Sequence, residues 1–216
     1  MDRFKWKNQS NSNIQLVKVE KNLQYIEING CLPDTLVNKY MDLITKFSPN
    51  KYYAFNTHFF TAFDMYGFSR IHRWTKNIDI FSKKRLFIPI YLKSKEMWSL
   101  IYVNFKHKSI RYYDSHGNHG LKYQRLILKY LKLEYLMKKG KFFPSAGWKY
   151  TNLNSLDDAY KCWDSGIFLC LVAHHFALNF SKDATLPFSS KAAGGEKVNR
   201  ERIERELIND TIRNYA

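Results

Sequence analysis

Residues 98–115 read WSLIYVNFKHKSIRYYDS, and residues 86–92 just before them read LFIPIYL. Aromatic and β-branched residues fill all three apolar runs, and the short Lys/His turn after Phe105 suggests a hairpin between the last two. These runs predict a sheet in the middle of the chain. Working outward toward the C-terminus, Leu126, Tyr130, Leu133 and Leu136 or Met137 recur every three or four positions between Leu121 and Lys139. That spacing predicts a long helix, with Gly140 placed to cap its end. Past a loop containing Pro144 and Gly147, the run GIFLCLVAHHFALNF (166–180) is apolar on nearly all sides. It predicts a helix buried in the centre of the fold, opened by Asp164, Ser165 and Gly166.

Toward the N-terminus, YYAFNTHFFTAF (52–63) predicts a buried helix or a mixed segment, and HRWTKN (72–77) a polar connection. The stretch CLPDTLVNKYMDLITKF (31–47) carries Leu36, Val37, Tyr40, Met41, Leu43, Ile44 and Phe47 at helical spacing, with Asp34 as the expected N-cap. NIQLVKVE (13–20) predicts a short strand, and residues 1–12 are expected to be loose. A small-residue linker over 189–196 leads to a charged helix over 197–214, expected to be solvated on most faces. The pattern is α+β, and 216 residues fit one domain, 1–216, with a substantial core.

Apolar residues make up 45% of the chain and charged residues 25%, a balance that predicts folding rather than disorder. No run approaches the roughly 18 apolar residues of a membrane span, and MDRFKWKNQS lacks the apolar core of a signal peptide. An intracellular, nuclear protein without membrane contact is expected. Cys31, Cys162 and Cys170 form no CxxC pair and have no His at zinc spacing, so they read as reduced, buried thiols with no metal site. No cofactor motif occurs. The formal charge of +16 favours acidic partners, nucleic acid or an acidic protein surface, without choosing between them.

The segments AFNTHFFTAF (54–63), HRWTKNIDIF (72–81), IPIYL (88–92), the 98–115 stretch and WDSGIFLC (163–170) together resemble the catalytic domain of the SENP/Ulp SUMO-specific cysteine proteases. The family shows FNTFFF, RWT, a His-Trp pair opening a strand, YYDS and Asp-Cys-Gly at these places, in the same order. The resemblance covers about residues 30–180. It implies a papain-like fold of the Ulp/adenain type, a central mixed sheet with a buried helix.

It also implies a thiolate nucleophile at a helix N-terminus, a His base, an Asp that orients the His, and a Gln in the oxyanion hole. Asp114 matches the orienting Asp, but Met97 stands at the His position and Ser165 at the Cys position. Ala159 stands where the oxyanion Gln is expected. Methionine has no titratable nitrogen, and a serine hydroxyl without a base is a poor nucleophile. On residue chemistry alone, Asp114 also reads as a turn residue, Ser165 as an N-cap, and Met97 as packing next to Trp98.

For recognition, Trp98 matches a Trp that closes over the Gly-Gly tail of SUMO, while Cys31 replaces the second lid Trp. Asp34, Arg73 and Trp74 match positions that touch the body of SUMO, and His58 replaces a family Phe beside them. The leading expectation is a catalytically inactive interaction module that binds SUMO or another acidic protein. A SUMO-specific cysteine isopeptidase or endopeptidase in inactivated form is the alternative, and a basic nucleic-acid-associated factor a second one.

Overall fold

The computed structural model describes residues 32–152, 165–178 and 195–212, together with two short strands, β1 (Ile14–Gln15) and β2 (Glu27–Ile28). Cys31, Ala159, Cys162 and the 189–194 part of the linker lie outside the described residues. Helix α1 (Asp34–Phe47) leads into strand β3 (Tyr52–Ala54), then helices α2 (His58–Tyr66) and α3 (Phe68–Ile71). Strands β4 (Arg85–Leu92), β5 (Met97–Asn104) and β6 (Ser109–Asp114) follow, then helix α4 (Leu121–Lys139), strand β7 (Lys149–Asn152) and helices α5 (Ser165–Leu178) and α6 (Gly195–Ile208).

The five strands from β3 to β7 lie side by side in chain order. The outer pairs β3–β4 and β6–β7 are parallel and the inner pairs antiparallel, so the sheet is mixed. β3 reaches only as far as Phe87 on β4, which leaves Pro89, without an N–H, past the end of that ladder. Every residue of β5 is buried because both faces of the sheet are covered. Trp98, Leu100 and Tyr102 point into a core shared with α1, α5 and α6, while Met97, Ile101 and Val103 point into one shared with α2 and α4. This is the strand period of two, read at the centre of a layered α+β fold.

Four expectations about elements need correction. Asp34 is the first residue of α1, not its cap. Pro33 precedes it in extended conformation, and Asp34 lies in the first turn, where the helix dipole favours its charge. α4 has the predicted ends and Gly140 cap, but it buries Ile127, Tyr130, Leu131 and Glu134 and leaves Leu136 and Met137 exposed. Met97 does not pack next to Trp98, because consecutive strand residues face opposite sides. α6 stops at Ile208, followed by a turn with Asp210 in the left-handed region, and it buries Ile203, Glu206 and Leu207. Its charges misled because several are paired inside the fold.

Candidate functional site

α5 starts at Ser165 and is buried along nearly its whole length, bringing its first turn against β5. The β5–β6 ladder ends at Ser99 opposite Asp114, one residue short of Trp98. The Trp98 N–H instead donates to Ser165 Oγ at 2.9 Å. Ser165 is thus the first helical residue and not an N-cap, and its hydroxyl oxygen completes the end of the strand ladder. Met97 and Asp114 lie at this same end of the sheet, Met97 two residues along β5 from the partner of Asp114. Ser165, Met97 and Asp114 thus all lie at the end of the sheet where β5 begins and β6 finishes.

Among the described residues no side-chain hydrogen bond joins these three to one another. The Met97 side chain is buried in the core shared with α2 and α4 and offers a thioether where a base is needed. Asp114 is buried, and both its oxygens are taken. Oδ1 accepts from the backbone of His116 at 2.9 Å and of Asn118 at 3.0 Å, and Oδ2 accepts from the Tyr112 hydroxyl at 2.9 Å. It anchors the turn after β6 in the manner of an Asx turn. The His116 ring meets Ser115 Oγ at 3.1 Å, and His174 belongs to a separate buried cluster.

Trp98 is a core residue, 4% exposed, with Nε1 donating to the Leu32 carbonyl at 2.9 Å and Tyr91 against its ring at 4.9 Å. Neither Leu32 nor Tyr91 was visible as part of the site, since a backbone carbonyl and a ring from a neighbouring strand leave no motif. Asp34, His58, Arg73 and Trp74 lie on neighbouring elements linked through Phe59. Asn38 of α1 and Thr57 exchange two hydrogen bonds, at 2.8 and 2.9 Å, tying α1 to the start of α2. That places His58 Nε2 3.5 Å from the Asp34 carboxylate, both exposed.

One residue further, Phe59 packs against Trp74 at 5.9 Å. Trp74 remains 38% exposed, next to Arg73. The turn carrying both is held from beneath. Thr75 is fully buried and donates to Glu134 Oε1 at 2.5 Å, while Lys138 bonds to the carbonyls of Thr75 and Ile78. The buried Thr of HRWT was the available signal for that anchor.

Residues 31–195 match the description "Ulp1 protease family, C-terminal catalytic domain". The chain belongs to the Ulp1 protease family. Sentrin-specific protease 3 of Homo sapiens is 34% identical over 177 residues, covering 82% of this chain and 29% of that protein. Sentrin-specific protease 5 of Homo sapiens is 32% identical over 176 residues, covering 82% and 22%. The chain therefore spans less than a third of the length of these curated relatives. Among solved structures, the C-terminal Ulp1 protease domain in complex with Smt3, the yeast ortholog of SUMO, superposes with a TM-score of 0.64 at 27% identity. It covers 83% of this chain and 77% of that one. The five-stranded mixed sheet with its covering helices is that of an Ulp1-like fold.

Proposed function

We propose that this Ulp1-family domain is a non-catalytic interaction module that binds SUMO or a SUMO-bearing protein through the surface around Asp34, His58, Arg73 and Trp74. One observation carries the reading. The base position holds a buried methionine, while the nucleophile position holds a serine whose oxygen accepts the Trp98 N–H. Among the described residues no side-chain base is hydrogen-bonded to the Ser165 hydroxyl to take its proton. Ala159 at the oxyanion position fits the same loss of chemistry.

Binding can outlast chemistry because the two use different residues. The anchored turn under Trp74 presents an aromatic and a guanidinium, the side chains most often found as hot spots, on a rigid base. A charge of +16 would speed encounter with an acidic ubiquitin-like protein. The related Ulp1 domain solved with Smt3 supports SUMO as the first partner to test. The domain would act inside the cell, with the nucleus as its expected compartment.

The test is calorimetric titration of SUMO into the wild type and into Trp74→Ala, Arg73→Glu and Ser165→Ala. Trp74→Ala should cost about 2 kcal/mol or more of binding free energy. Arg73→Glu should weaken binding with it, and Ser165→Ala should leave affinity unchanged. Absence of wild-type binding at low salt, or equal binding by all variants, would overturn the assignment of this surface.

A further inference from the structure

α4 carries a second surface, independent of the SUMO reading. Its exposed face presents Lys122, Arg125, Lys129 and Lys132, separated by three, four and three residues. Such spacing puts one cation on each successive turn of one helix face, over about 15 Å. Among the described residues no carboxylate pairs with any of the four. The single carboxylate of α4, Glu134, is buried and faces Thr75 and Lys138. The adjoining helix α3, whose Phe68 ring lies 6.1 Å from Tyr130 of α4, adds exposed Arg70.

We propose that this face of α4 docks on the phosphate backbone of duplex nucleic acid. A straight row of cations without carboxylate partners among the described residues, Lys122 lying over the Tyr123 ring at 4.7 Å, fits a rigid rod bearing one negative charge per about 1.7 Å. Membrane insertion is disfavoured, because the apolar side of α4, with Ile127, Tyr130 and Leu131, is committed to the core. A single strand would call for stacking platforms along the row. The aromatic rings within the row are instead packed inward, Tyr123 against Phe60 and Tyr112, and Tyr130 against Phe55 and Phe59. A folded acidic protein would be expected to find an apolar anchor, and none is exposed between Lys122 and Lys132.

Fluorescence anisotropy of the full chain with a labelled duplex of about 20 base pairs, from about 50 to 200 mM salt, tests this. Wild type should bind with a steep inverse salt dependence. Replacing Lys122, Arg125, Lys129 and Lys132 together by Ala, which suits an exposed helix, should weaken low-salt affinity by about tenfold or more. It should also lower the slope of log affinity against log salt by about three to four. Should that variant lose its circular dichroism signature, Lys129→Ala with Lys132→Ala should give about half the slope change. A control replacing exposed Lys84, Lys93, Lys95 and Lys106 by Ala should leave the slope within about one of wild type.

SUMO titration should be unaffected by the α4 replacements, which separates this surface from the one around Trp74. No duplex binding at low salt, or equal losses in stripe and control variants, would overturn the proposal. So would stripe-dependent binding to phosphatidylserine vesicles or polyglutamate with duplex binding unchanged.

Discussion

At Trp98 a single backbone N–H meets Ser165, which the proposed reading places at the family nucleophile position. β6 ends one residue too early to pair with it, and Ser165 Oγ accepts its hydrogen bond in place of a strand. In the family pattern this residue is a reacting thiol, and here it closes a ladder. Ser165→Ala should therefore leave a buried N–H unsatisfied at a cost of about 1–3 kcal/mol. A urea unfolding titration should show the loss as a lower midpoint with unchanged slope. The identities of Met97, Asp114 and Ser165 were legible in the sequence because each sits in a short motif. Their hydrogen bonds were not, since the Trp98–Ser165 contact spans 67 residues and the Asp114 contacts depend on the turn that β6 enters. The Asp114 bonds match a turn anchor, the reading that residue chemistry alone offered beside the catalytic one.

At the element scale, the sheet and the two long helices were readable from periodicity, and the errors came where polar or exposed apolar residues broke the usual rule. Leu136 and Met137 of α4 look like core residues and face solvent, while Gln124 and Glu134 are buried, each held through one side-chain atom, Gln124 Nε2 and Glu134 Oε1, by bonds no local pattern reveals. β7, with the polar sequence KYTN, has no signal of its own and exists because β6 offers it an edge. α6 shows the same effect most strongly. Glu206 is buried, with the Tyr40 hydroxyl at 2.5 Å, His174 Nδ1 at 3.4 Å and Arg202 at 3.6 Å, a cluster joining α1, α5 and α6. Burial, reinforced by the nearby Glu206 charge, pushes the Tyr40 phenol well above its ordinary range, so it is held as a donor. Tyr40→Phe removes that donor and should loosen α6 by about 1–3 kcal/mol. Limited trypsin digestion followed by mass spectrometry should find cleavage within residues 195–208 several-fold faster than in wild type, with the sheet still protected.

Among the described residues two buried groups, His175 and Glu206, shape the response to acid, and both act in the same direction. Burial, with His174 and Arg85 nearby, lowers the His175 pKa, so the unfolded chain binds a proton that the folded one resists as pH drops below about 6.5. Burial pushes Glu206 upward, but the hydrogen bond and charge of His174, the Tyr40 hydroxyl and Arg202 outweigh it and hold its carboxyl below the ordinary value. Its contribution is present above the unfolded value, near 4.5, and is lost as pH falls through the lower folded value. Stability should therefore decline from about pH 6.5 downward, steepening near 4.5 and below. Thermal melts across this range should show it, and His175→Gln should flatten the upper part of the decline.

The proposed loss of peptidase chemistry is the point on which the functional reading of the whole domain turns, and it can be measured directly. The purified chain, at concentrations approaching that of its substrate, is incubated with a SUMO precursor and with a SUMO conjugate, and products are followed by mass spectrometry. With Met97 in place of the base and Ser165 Oγ engaged by Trp98, neither substrate should be cleaved above the buffer rate. Cleavage at the SUMO C-terminus that disappears in Ser165→Ala would contradict that reading and make the domain a working protease.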